Sequence, residues 1–251
     1  MSRTPAARIL VVLHWMLIAP LSAAAQQSTP LDQTEQEAIR ALILQTIREN
    51  PEVLVETLLY FQEEAQAEAE AEQRANIARV SDLLLSDPNA GVLGNPDGKI
   101  VLIEFFDYNC PYCRRVKPEM EALLAADPNV RVVYREWPIL GDGSVFAARA
   151  ALASRNQGKY EEFHWAMMQL KERAEEASIL RTAEDIGLDV AQLRRDMNGP
   201  EIEEHIQTSM RLAQSLGFSG TPSFVIGDSL APGLIQADQM IELVDQARAA
   251  E

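Results

Sequence analysis

Ile100-Val101-Leu102-Ile103-Glu104-Phe105-Phe106-Asp107-Tyr108-Asn109-Cys110-Pro111-Tyr112-Cys113 is the stretch on which the fold turns. Residues 100–106 are β-branched, aliphatic or aromatic except for Glu104, the pattern of a strand covered on both faces. Cys110 follows four residues later. Pro111 suits the first turn of a helix, and Val116, Met120, Leu123 and Leu124 continue one apolar stripe towards Ala126, so Cys110 stands at a helix N-terminus. After the turn Asp127-Pro128-Asn129, residues 130–135 read as a second strand, and a strand-helix-strand unit of this length implies parallel pairing.

Towards the C-terminus, residues 144–217 read as helix after helix. Phe146, Ala150 and Leu152 mark one helix, Tyr160, Phe163, Trp165, Met167 and Met168 another, and Ile202, Ile206, Met210, Leu212 and Leu216 a longer last one. Strand character returns at 223–226, Gly227-Asp228 turns the chain into a short strand at about 230–235, and 238–249 closes as a helix. The order is βαβ, a helical insertion at about 144–217, then ββα. This is an α/β chain with a thioredoxin-like fold carrying an inserted helical domain.

Towards the N-terminus, residues 87–98 hold two Pro, three Gly and two Asn. They read as a boundary followed by turns, so the domain spans 87–251. Before it, residues 32–49 place Ala38, Ile39, Leu42, Ile43, Thr46 and Ile47 at helical spacing until Asn50-Pro51 breaks the pattern. Asn50 is expected to cap a second helix, which meets no Pro or Gly from Glu52 to Asp87 and would be about 50 Å long. Val53, Leu54, Leu58, Leu59 and Phe61 make its start amphipathic, whereas 62–74 is almost wholly Ala, Glu and Gln and has nothing to bury. Residues 26–86 are therefore expected to form a helical arm, suited either to self-association or to packing on its own chain.

Arg3 and Arg8 precede an apolar run from Ile9 to Leu21 and the small residues Ala23-Ala24-Ala25, so residues 1–25 read as a signal peptide cleaved after about Ala25. The run is shorter than the roughly 20 residues of a membrane-spanning helix. The whole chain carries 22 basic and 38 acidic residues, a net charge of −16. Losing Arg3 and Arg8 with the leader leaves 20 against 38, or −18. Such a chain repels nucleic acid and anionic membrane.

The chain contains two cysteines. In an exported protein a pair is a structural staple, a redox couple or part of a metal site. A Cys110–Cys113 bond closes so small a loop that it hardly constrains the unfolded chain. A tetrahedral zinc site needs four ligands, and after the leader only His164 and His205 remain to join the pair. A working redox couple fits best, with no metal and no cofactor beyond its own disulfide. His164, His205, Met167 and Met168 lie in helical patterns and read as packing or surface residues.

Glu104-Phe105-Phe106, Cys110-Pro111-Tyr112-Cys113 and, far downstream, Gly220-Thr221-Pro222-Ser223-Phe224 resemble the DsbA family. The leader, Ile47-Arg48-Glu49-Asn50-Pro51-Glu52-Val53 and Phe106-Asp107-Tyr108-Asn109 are similar to its ScsC branch, over essentially all of 32–250. The resemblance implies a periplasmic thiol-disulfide oxidoreductase, either oxidase or isomerase, acting on exported proteins and served by a membrane redox partner. It implies Cys110 as nucleophile, Cys113 as resolving thiol, Glu104 as the buried acid that moves a proton to or from Cys113, and Thr221-Pro222 as the substrate-facing cis-proline loop. ScsC relatives with such arms include trimers, which favours a homo-oligomer here. The family's strong oxidants have His where this chain has Tyr112, which removes one source of thiolate stabilisation. The alternative reading is a non-catalytic periplasmic copper binder or chaperone on the same fold. Soft Cu(I) would then use the two thiolates.

Overall fold

The computed structural model describes residues 31–250. The expected signal peptide at 1–25 lies outside the described residues. The chain forms two compact units, Met1–Tyr60 and Phe61–Glu251. The division falls inside a long helix, ahead of the Pro- and Gly-rich stretch at 87–98.

In the first unit, α1 (Gln33–Glu49) begins at a capping box in which Asp32 accepts the Glu35 N–H and Glu35 reaches back to the Asp32 N–H. Asn50 closes α1 instead of opening the next helix, because its side-chain amide donates to the Thr46 carbonyl. α2 then runs Glu52–Leu85. No residue of α1 is buried, and Leu42, Ile43, Leu54 and Leu58 are about half exposed or more.

The second unit is built on a five-stranded sheet of order β1-β3-β2-β4-β5. Its strands are β1 (Gly91–Gly94), β2 (Ile100–Phe106), β3 (Val130–Glu136), β4 (Ser223–Ile226) and β5 (Ser229–Pro232). The central pair β2 and β3 is parallel, joined by α3 (Pro111–Ala126), and the other pairs are antiparallel. Between β3 and β4 the chain forms α4 (Asp142–Ser154), α5 (Tyr160–Met168), α6 (Glu176–Asp185), α7 (Val190–Asp196) and α8 (Pro200–Ser215), and α9 (Ala237–Ala249) ends it.

The strand β1 corrects the sequence reading, which placed only turns at 87–98. Four residues with two glycines carry almost no strand signal, but a side chain at Gly91 would put its Cβ 2.0 Å from the Tyr160 ring. Only glycine lets that edge strand approach α5.

Alternation along the strands divides the core. Leu102, Phe106, Val132, Tyr134 and Phe224 face α3, α9 and the inserted helices, while Ile103, Phe105, Val133 and Val225 face α8 and the end of α2. Ile77 and Leu84 of α2 are buried on that second face. The last turns of α2 are thus part of the second unit's core.

Candidate active site

β2 delivers the chain from the sheet, and residues 107–109 turn it into α3. The Asp107 carboxylate, itself buried, accepts the Asn109 N–H at 2.7 Å and the Ile139 and Leu140 N–H groups at 2.8 and 2.9 Å. Its carbonyl accepts the Cys110 N–H at 3.0 Å. Asn109 ties the same turn to the insertion, donating to Ser144 Oγ and the Ala174 carbonyl and accepting the Ala174 N–H. Asp107 stands in the motif Phe106-Asp107-Tyr108-Asn109, but the motif alone assigns it no such task. Its signal was Asp followed two residues later by Asn, the spacing of an Asx turn.

Cys110 is the N-cap of α3, with Pro111 in the first helical turn. Its Sγ accepts the Cys113 N–H at 3.3 Å, and as a thiol it donates to the Thr221 carbonyl at 3.2 Å. The Thr221-Pro222 peptide is cis, and the contact with the Thr221 carbonyl puts the downstream loop against the sulfur. Tyr112 is 51% exposed, with the Arg115 guanidinium 4.7 Å above its ring. The structure thus brings Cys110, Cys113, Pro111, Tyr112, Thr221 and Pro222 to one end of the sheet.

The two thiols are driven apart in acidity. Hydrogen bonding from Cys113 is the largest cause that lowers Cys110 to about 6, against the opposing effect of burial, and Thr221 and the Cys113 and Tyr112 N–H groups add to it. Burial pushes Cys113 far above the ordinary thiol value, with its hydrogen bond to Cys110 and the Glu104 charge acting in the same direction. Near neutral pH one sulfur is a thiolate and the other a thiol.

Glu104 does not reach water. It is 2% exposed, paired in register with Tyr134 on β3 and Phe224 on β4. Burial first, and the Cys110 charge second, hold its carboxyl well above the usual range. A neutral acid therefore lies in the core within electrostatic reach of both cysteines.

Both histidines read as packing or surface residues are buried and bonded. His164 Nδ1 lies 3.0 Å from the Tyr108 hydroxyl, and burial lowers its pKa to about 3, so it is neutral. His205 sits between Asp87 at 2.8 Å and Glu136 at 2.7 Å; burial alone would lower its pKa, but the two carboxylates raise it. Tyr160 donates to Glu136 at 2.6 Å, and Arg135 joins Asp87 to the Leu83 and Leu84 carbonyls at the end of α2. Among the described residues no group of three or more His, Cys, Asp or Glu is placed to hold a metal ion, and no helix is long and apolar enough to cross a membrane.

Comparison with known proteins gives a consistent relationship. The family of DSBA-like thioredoxin domains matches residues 101–245. A thioredoxin-like oxidoreductase from Silicibacter pomeroyi is 60% identical, with a TM-score of 0.67 over 68% of this chain and 98% of its own. ScsC of Proteus mirabilis, in a transitional conformation, is 29% identical with a TM-score of 0.64 over 88% of this chain and 99% of its own. A curated relative, the Na(+)/H(+) antiporter NhaA 3 of Salinispora tropica, is 29% identical over 151 residues. That match spans 59% of this chain but 23% of the antiporter, so the likeness is to a minor part of that protein.

Proposed function

Because the chain belongs to the DSBA-like thioredoxin domain family, we propose that it exchanges thiols and disulfides in exported proteins through Cys110 and Cys113. The observation that carries this is Cys110 Sγ at the N-terminus of α3, accepting the Cys113 N–H and facing the Thr221 carbonyl.

With the protein reduced, the Cys110 thiolate attacks a substrate disulfide, forming a mixed disulfide and releasing one substrate sulfur as a thiolate that takes a proton from solvent. Glu104, neutral at rest, first gives its proton up to solvent; Cys113 then passes its proton to the carboxylate and attacks Cys110 Sγ, expelling the second substrate sulfur. Two electrons have moved to the substrate, and the Cys110–Cys113 disulfide remains. In the opposite direction a substrate thiolate attacks Cys110, and Glu104 protonates the departing Cys113. A group that must change protonation inside an apolar core needs such a neighbour, because solvent cannot serve it. Stopping after the first half-reaction, with the mixed disulfide re-attacked by another substrate thiol, gives isomerisation.

Supporting the expectation of a periplasmic homo-oligomer, a trimer among the options, are the leader-like sequence at 1–25 and the exposed Leu42, Ile43, Leu54 and Leu58 of the first unit. Large apolar side chains left exposed at helical spacing are the kind of surface that a partner covers. The partner expected on it is a further copy of the same chain.

Trapping tests the central reading. Cys113→Ala is expected to accumulate mixed disulfides through Cys110, because the resolving thiol is gone while the attacking one remains. Cys110→Ala is expected to trap none. Equal trapping by both variants would overturn the assignment of nucleophile and resolver.

A further inference from the structure

Glu104 and Tyr134 are direct neighbours in the parallel register of β2 and β3, so their side chains leave the sheet on the same face. That face is the one packed under α3, which carries Cys113. Glu104 is 2% exposed and Tyr134 0%. Within this shared space Glu104 Oε1 and the Tyr134 hydroxyl are both without a hydrogen-bond partner among the described residues. Leaving one such group unsatisfied in a core costs about 1–3 kcal/mol, so two side by side need a reason.

A phenol offers one donor and accepts weakly, while an ionised carboxylate only accepts. The neutral carboxyl can accept the phenol only as a weak acceptor, whereas the ionised one accepts through either oxygen in a charge-assisted bond, so the match is much better once Glu104 has lost its proton. Resting on the thiol-exchange reading above, we infer that Tyr134 is a positioning residue for Glu104, its hydroxyl donating, directly or through one buried water, to the carboxylate left after Cys113 has been protonated. In that step the Glu104 O–H bond breaks, the Cys113 S–H bond forms, and the negative charge moves from sulfur to carboxylate with no net change in electrons. Tyr134 keeps its own proton, since burial first and the Glu104 charge second push its pKa well above the usual phenol value.

The surroundings allow few rivals for this role. The titratable groups facing the pair are Cys110 and Cys113 on α3, Tyr108 in the following turn, Glu136 on β3, and Tyr160, Glu161 and His164 on α5. The Tyr108 hydroxyl is engaged with His164 Nδ1, and the Tyr160 hydroxyl with Glu136. Tyr134 is the buried phenol on this face whose hydroxyl is uncommitted.

The test uses Tyr134→Phe, Glu104→Gln and the double variant in the full chain, with single-turnover exchange against a peptide disulfide followed from pH 5 to 9. General acid–base assistance is worth about 10²–10⁴-fold, so Glu104→Gln is expected to slow the Cys113 step by about 10²-fold. Tyr134→Phe is expected to slow it by about ten-fold, through a charge-assisted hydrogen bond, and to leave the Cys110 titration midpoint near 6. In the Glu104→Gln background Tyr134→Phe should change the rate less than about two-fold, since the two act as one unit. Wild-type rates for Tyr134→Phe across the pH range, or multiplying effects in the double variant, would overturn the inference. Carbon-13 NMR of the unaltered protein gives a second reading that needs no turnover. The Tyr134 Cζ resonance should move at the same pH as the Glu104 carboxyl carbon, and a Tyr134 signal that stays fixed while Glu104 titrates would equally overturn it. If the unaltered protein exchanged no thiols, the reading of the site would fall, while the pairing would still be decided by the NMR titration.

Discussion

Replacing Cys110 by Ser removes a group whose ionisation is coupled to folding, and the effect can be worked from the site. Cys110 is lowered from 9.0 to about 6, so the reduced fold binds its proton more weakly than the unfolded chain does. The resulting stability is complete above about pH 9 and is lost as the pH falls through about 6. At full ionisation the difference corresponds to about 4 kcal/mol, of which about 2 kcal/mol is expected to appear in unfolding, because charges even at buried sites interact through an effective dielectric of about 20. Guanidinium unfolding of the reduced protein and of Cys110→Ser, followed between pH 5 and 9, measures it. The gap between the two proteins should widen by about 2 kcal/mol from the acid to the alkaline end, because serine does not titrate there. Since the oxidised protein has no thiol to ionise, the same energy favours the reduced form by roughly 30-fold in equilibrium with glutathione at the alkaline end. A gap that stays constant across the range would refute both the thiolate at the α3 N-terminus and the redox poise drawn from it.

Four further outcomes are expected. Glu104→Leu, which replaces a buried carboxyl lacking a full set of partners, should raise stability by about 1–3 kcal/mol in thermal or denaturant unfolding while slowing exchange; a loss of stability would contradict the placement of Glu104 in the core. His205→Leu leaves Asp87 and Glu136 facing each other across a buried space, and should cost about 3–5 kcal/mol. Because the folded His205 pKa is raised, its contribution is present below the unfolded value of 6.5 and declines as the pH rises through the folded value, so the cost measured by denaturant unfolding should shrink on the alkaline side. A chain shortened to begin at Gln62 keeps Ile77 and Leu84, and should scatter light as a monomer with its dithiol chemistry intact and its ability to reshuffle scrambled ribonuclease lost. One beginning near Ser86 would lose Leu84 from the core and the carbonyls that Arg135 binds, and should unfold at lower denaturant by about 2–5 kcal/mol.

Much of this protein was legible in its residues because the signals are local. An apolar run interrupted by one acid makes β2, Cys-Pro with an apolar stripe makes a helix that Cys110 caps, and Asp32 with Glu35 makes the capping box of α1. The parallel pairing of β2 and β3 followed from chain length between them. Tertiary structure decided what depends on residues distant in sequence. β1 exists because β3 offers its edge and Gly91 lets Tyr160 approach, neither of which four residues announce. Asn50 closes α1, although its sequence equally suits the opening of α2. The burial of Ile77 and Leu84, which draws the end of α2 into the second unit, requires the far face of the sheet to be present. His164 and His205 showed only helical spacing, and their partners at Tyr108, Asp87 and Glu136 lie at least 56 residues away. Glu104 was marked by its oddness in a strand, but that it shares its space with Tyr134 is a fact of register, which no single strand contains.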